Sequence, residues 1–377
     1  MVSDSTTSSS DAGRPSTTLA PDTPDDRSQG GLAELASRIP FLPPEIQVLT
    51  PGLSLCALIA LLALRTGDHF AYVTPLVAAM GIGILIKNAF ILPKPYAPGI
   101  IYALKQVLRL AVALLGVRIT FAKIAALGWE GLLIPLVPLV ATLIVTMILG
   151  KLLRIPARAS ILIGTGTSVC GASAILTAGA TLKSRDEDVV IAIGSITAFG
   201  TVSMIGYPLL LKSGLLPLSA EQYGYWAGAS IHEVAQVVTA SFAGGQTAGE
   251  IGIVIKLTRV AALIPLAFIL SAMSNRGWFS EGRRMDSSAR VAFPVYLLAF
   301  LGMVILNSND FFSEHGRQSI ERFDMFLLTM AMAAMGLEVD IRRLLRVGYK
   351  PLLLSVLVTA FISGLTLALV VWLIPSS

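Results

Sequence analysis

Residues 160–182, SILIGTGTSVCGASAILTAGATL, enclose a polar, glycine-rich centre between aliphatic flanks. Lipid supplies no hydrogen-bond partners, so an apolar segment of that length is expected to keep its helix closed and its surface greasy. The centre, made of Gly164, Thr165, Gly166, Thr167, Ser168, Cys170, Gly171 and Ser173, does neither. It predicts a helix that unwinds near Gly164–Thr167 and restarts, leaving backbone N–H and C=O groups free inside a membrane. Half-helices of that kind hold solutes in transporters: the restarted N-terminus suits an oxyanion, while the freed carbonyls suit a cation. Thr167, Ser168 and Ser173 would add hydroxyl donors facing the solute. The competing reading is that the small residues only let helices approach closely.

The rest of the chain supports a membrane setting. Of 377 residues, 54% are hydrophobic and 14% charged, against about 25% charged in soluble domains. Apolar runs fall at approximately 48–65, 71–86, 98–117, 131–150, 159–182, 188–211, 222–245, 249–273, 291–306, 323–337 and 351–373. Each is read against the ~30 Å of hydrocarbon to be crossed. The expected fold is an all-α polytopic membrane protein of about 10–11 transmembrane helices. Residues 1–38 are polar and low in aliphatics, so a disordered cytoplasmic tail is expected there, with no signal peptide. The transmembrane domain then covers 45–377. Cys56 and Cys170 lie inside apolar runs, which argues against a disulfide framework.

Counting eleven spans puts Lys87 and Lys94, then Lys151, Arg154 and Arg158, on one side with Arg276, Arg283, Arg284, Arg290, Arg342, Arg343, Arg346 and Lys350. The positive-inside rule places that side in the cytoplasm, with the N-terminus, and the C-terminus outside. Arg118 with Lys123 is the exception. The net charge of +5 is spread over these short loops, so the expected partner is the bilayer and not nucleic acid. LLGVRITFAKIAALGWEGLL (114–133) also aligns without gaps on AMGLEVDIRRLLRVGYKPLL (334–353), pairing Gly116 with Gly336 and Gly128 with Gly348. The two copies fall on opposite sides, as in an inverted-topology repeat with halves at about 71–211 and 222–377.

GTGTSVCGASAI (164–175), GASIHEVAQVV (228–238) and TMAMAAMGLEVDIRRL (329–344) resemble three signature stretches of the YeiH-type sulfate exporter family. The resemblance runs from about residue 45 to the C-terminus. That family is similar to sodium/proton antiporters and bile-acid-symporter-like carriers. The resemblance implies inverted repeats, discontinuous helices that cross and break at mid-membrane, and a sulfate-like solute.

Two further groups could carry chemistry. His232 and Glu233, with Gln236, form an ionisable cluster in an Ala/Gly/Val run, which is a functional candidate by default. Either could carry a coupling proton; the bland alternative is that they stabilise a helix start after Gly228–Ser230. On a helix Glu233 and Gln236 share a face, and His232 is displaced by about 100°. Lys256 and Arg259, at i and i+3, could balance a divalent anion or snorkel to an interface. HEVAQ lacks a second histidine for zinc, and GxxxxGK[ST] is absent, so no metal, cofactor or catalytic role is expected. The expected function is a secondary transporter in the bacterial inner membrane. It would move a small anion, sulfate or a related oxyanion or sulfonate, by alternating access coupled to H+ or Na+. An anion channel and an intramembrane enzyme are the alternatives, and a homodimer is compatible with the architecture.

Overall fold

Backbone groups in lipid must be paired within their own segment, and every regular element described is helical. The computed structural model describes residues 44–67, 74–182, 184–275, 295–339 and 348–375. The tail 1–38, His69, the loop with Arg276, Arg283, Arg284 and Arg290, and Arg342, Arg343 and Arg346 lie outside the described residues.

The chain begins with α1 (Pro44–Gly67), α2 (Pro75–Ala89) and the irregular helix α3 (Lys94–Arg118). A short connector α4 (Phe121–Ala126) leads to α5 (Glu130–Leu152). Then come α6 (Ala157–Ser168), α7 (Ala172–Leu182), α8 (Asp186–Lys212), α9 (Ala220–Ser230) and α10 (Val234–Phe242). The chain continues through α11 (Gln246–Ala261), α12 (Leu263–Asn275), α13 (Val295–Ser308), α14 (Glu314–Glu338) and α15 (Tyr349–Leu373). Helices α1, α3, α5, α8, α11 with α12, and α15 are long and apolar enough to cross a membrane, and α2, α7 and α13 are shorter apolar helices. The chain is an all-α polytopic membrane protein.

Two of the eleven apolar runs are not single passes. Run 159–182 is α6 and α7, and run 222–245 is α9 and α10. Residues seventeen apart on one straight helix would stand about 25 Å apart. Instead, Leu162 Cδ2 lies 3.7 Å from where a Cβ on Gly179 would sit, and the Ile175 side chain packs on Gly166. In the second run the Tyr223 hydroxyl donates to the Ala240 carbonyl at 3.0 Å. Each pair of helices therefore folds back as a re-entrant hairpin, with tips at 169–171 and 231–233. Arms of this length reach about 14–18 Å, half the hydrocarbon thickness. Polar tips buried in protein satisfy the rule that irregular backbone at membrane depth avoids lipid.

The repeat extends far beyond the string that revealed it. A shift of 220 residues carries α2 onto α13, α3 onto α14, and α5 onto α15 to within a residue at each end. Contacts obey the same shift. A Cβ on Gly336 would strike Met80, Gly83 and Ile84, and one on Gly116 would strike Phe300, Met303 and Val304, the shifted positions. So α14 packs on α2 while α3 packs on α13, and α5 meets α15. A second shift, of 62 residues, carries α6, α7 and α8 onto α9, α10 and the α11–α12 pass. Each hairpin returns to the side it entered, so α13 is five passes after α2 and α11–α12 one pass after α8. Both pairs of units therefore run in opposite directions, as inverted repeats do. The outer units form a scaffold around the two hairpin units, and both α5 and α15 touch α6 and α9.

With Cys56 and Cys170 replaced by alanine, Gly166→Cys/Ile175→Cys is expected to form an intramolecular disulfide on mild oxidation, read by intact mass. A single pass would hold the two about 13 Å apart, beyond disulfide reach. Gly116→Val and Gly336→Val are expected to destabilise the protein comparably, each by the about 1–3 kcal/mol of an overpacked contact, seen as a lower unfolding temperature.

Candidate functional site

The tips of the two hairpins meet at a buried junction. Helix α6 remains helical through Gly164, Thr165, Gly166, Thr167 and Ser168, and unwinds at 169–171, later than the predicted Gly164–Thr167. The physical reason is packing: Gly164 lies against Thr146 of α5, and Gly166 against Ile175 and Ile196. Close approach, not unwinding, is what those two glycines permit. The turn falls at Gly171, whose φ of +69° favours glycine.

In the second hairpin His232 and Glu233 sit at the turn, so Glu233 precedes the helix that carries Gln236 instead of sharing a helical face with it as expected. Glu233 has extended backbone and is the N-cap of α10, with Gln236 as its capping-box partner. The Glu233 amide donates to Gln236 Oε1 at 3.2 Å. A helix start does follow Gly228–Ser230, but it lies at a hairpin tip packed inside the protein.

Lys256 and Arg259 project from one face of α11 into this junction, both with no exposure. Neither reaches an interface. Lys256 Nζ donates to the carbonyls of Val169 (2.7 Å), Ile231 (2.9 Å) and His232. Arg259 donates from Nε to Ser168 O (2.8 Å) and from Nη2 to Thr167 O (2.6 Å). Its Nη1 reaches Gly228 O (3.3 Å) and Ile231 O (3.1 Å). These carbonyls close α6 and α9, whose C-terminal ends each carry about half a negative charge. Two cations therefore neutralise two converging helix ends. An ammonium has three donors, and all three are engaged, so in this conformation Lys256 holds backbone and has no donor left for a solute.

The opposite polarity is met by Glu233. Its carboxylate accepts from Thr197 Oγ1 of α8 at 3.4 Å and lies against Gly171, at the start of α7, where any Cβ would collide with it. Gln236 Nε2 donates to Thr197 O at 3.3 Å, and a side chain at Gly200 would strike the same amide. The carboxylate thus lies at the amide ends of α7 and α10, and the cations at the carbonyl ends of α6 and α9. With all three ionised, one positive charge remains in excess.

The other predicted residues scatter. Thr167 Oγ1 is committed to Ile163 O at 2.9 Å. Ser168 Oγ, Thr165 Oγ1 and His232 Nδ1 are buried without a hydrogen-bond partner, while His232 Nε2 contacts Thr359 Oγ1 of α15 at 3.1 Å. Cys170 is buried at the first tip, and Ser173 is exposed in the first turn of α7. Thr197 and Thr359 are site residues that sequence reasoning missed; single threonines in apolar helices carry no distinguishing mark. Among the described residues, no group of three His, Cys, Asp or Glu side chains is placed to hold a metal.

Lys256→Met and Arg259→Met are each expected to destabilise the protein by about 3–5 kcal/mol, since either leaves buried carbonyl ends uncompensated. Ser173→Ala should stay within about 0.5 kcal/mol. Thermal unfolding in detergent measures both.

The model of the family described as conserved hypothetical protein 698 matches residues 51–355. The chain is similar to a UPF0324 membrane protein of Corynebacterium glutamicum, 35% identical over 323 residues, covering 86% of this chain and 92% of the relative. It is also similar to a UPF0324 membrane protein of Bacteroides thetaiotaomicron, 33% identical over 286 residues, 75% of this chain and 85% of the relative. A UPF0324 membrane protein of Yersinia pestis is 35% identical over 319 residues, 81% and 88% of the two chains. These relatives belong to the same family that the three signature stretches resemble. No solved structure matches.

Proposed function

The chain belongs to the family of conserved hypothetical protein 698, and we propose that it is a secondary transporter moving a small anion by alternating access. One observation carries the reading: two oppositely entering hairpins meet tip to tip at a buried junction that gathers two basic side chains, Lys256 and Arg259, and one acidic side chain, Glu233. Inverted repeats around discontinuous helices are the architecture of many secondary transporters, where the two repeats rock around a fixed central site. An excess buried cation is costly alone and is relieved by an anion. Sulfate, or a related oxyanion or sulfonate, is the solute that the family resemblance favours.

In this reading Glu233 is the coupling group, carrying a proton or holding Na+, and His232 links the second tip to the scaffold through Thr359. Lys256 and Arg259 hold the tips together and set the sign of the charge that enters. The solute crosses unchanged, so no residue is assigned a covalent step. The protein would lie in the bacterial inner membrane. The positive-inside rule puts the side bearing Lys87, Lys94, Lys151, Arg154 and Arg158 in the cytoplasm, with the N-terminus there and the C-terminus outside. The hairpin returns the chain at Ser184 and Arg185, before α8, to that same side.

In proteoliposomes, radiolabelled sulfate, sulfite, thiosulfate, bicarbonate or a small sulfonate is expected to move, with accumulation that responds to a pH or sodium gradient. If none of the five moves, the anion assignment fails. Glu233→Gln is expected to abolish the gradient response, and His232→Ala to slow flux; wild-type behaviour in both would remove their roles.

A further inference from the structure

We propose that the Glu233 carboxylate is a tethered occupant of an anion site built by the N-termini of α7 and α10, and that a solute anion enters by replacing it. This rests on the transport reading for its biological use, but the site itself stands on geometry. Two helices of 11 and 9 residues begin within one junction, and each start presents unpaired amides with about half a positive charge. A carboxylate is already seated there, packed on Gly171 at the start of α7 and accepting from Thr197 Oγ1. Gly171 leaves no space for a side chain, and the room a Cβ would take is filled by the Glu233 carboxylate arm. The place has the shape and polarity of an anion site, and the anion in it belongs to the chain.

The surroundings say what could displace it. Lys256 and Arg259 supply the positive field but spend their donors on backbone carbonyls. Ser168 Oγ and His232 Nδ1, wholly buried on the two tips, make no hydrogen bond. A tethered group has an effective concentration on the order of millimolar or more. A free carboxylate offering only the same two oxygens competes poorly with it. An oxyanion with further acceptor edges, able to engage more of the amides at the two helix starts, outcompetes it. Solute and Glu233 then exclude one another, so the carboxylate must take a proton or a cation whenever the solute is bound. Coupling follows from sharing one site.

The test uses the purified full-length protein in detergent and sodium formate as the probe, with sodium gluconate as the ionic-strength control. In Glu233→Ala the vacated amides are expected to bind formate, giving a saturable rise in unfolding temperature of about 3 °C or more. Wild type should show no such rise. Glu233→Asp, whose shorter arm withdraws from Gly171 and the start of α7 while keeping the charge and the cap, should show an intermediate rise and serves if the alanine variant does not fold. Absence of a formate-specific shift in the folded variant, or an equal shift in wild type, overturns the proposal. Transport is not part of the readout, so a failed flux assay leaves this result standing on its own.

Discussion

The junction depends on two cations gathering carbonyls. Four helix ends point into one place, and in the absence of water the carbonyl ends of α6 and α9 would repel one another. The side chains of Lys256 and Arg259 turn that repulsion into the contact that joins the hairpins, with seven hydrogen bonds to six residues. Without them neither tip has a partner for its orphan carbonyls, and the hairpins could not remain at membrane depth. The position of Glu233, and so the polarity of the whole site, follows from where those cations hold the two turns.

The inverted repeat makes the asymmetry of this arrangement visible. Under the 62-residue shift, Lys256 and Arg259 of α11 correspond to Gly194 and Thr197 of α8, and Cys170 and Gly171 correspond to His232 and Glu233. One hairpin unit supplies the charges and the other supplies the space. Gly171 makes room for Glu233, Gly200 makes room for Gln236, and Thr197 donates to the carboxylate of the other unit. A symmetric backbone thus carries a polar axis.

Much of the fold was legible because lipid enforces it. A run of aliphatics must be helical when its backbone has no other partner, so the eleven apolar runs all correspond to helices. Gly116 and Gly336 betrayed the repeat because close helix crossings tolerate no side chain, whereas the aliphatics around them exchange freely and hide its full extent. The hairpins were not legible from hydropathy, since a run of 24 residues reads alike whether it crosses or turns back. A faint signal existed: Gly166-Thr167-Ser168-Val169 recurs as Gly228-Ala229-Ser230-Ile231. At the site, the sequence pointed to Glu233, Lys256 and Arg259 as costly residues needing partners. It could not say that the partners of the two cations were backbone carbonyls, which leave no mark in the amino-acid order.

The exchange of partners between the outer repeats bears on how the chain is made. Helix α2 finds its close-packed neighbour in α14, and α3 in α13, so the grooves at Gly83 and Gly116 stay open until residues some two hundred positions later leave the ribosome. Both hairpins, with their polar tips, are synthesised inside that interval. The first half of the protein must therefore wait in the bilayer with its packing incomplete. The outer packing closes late, when the C-terminal helices arrive to fill those grooves.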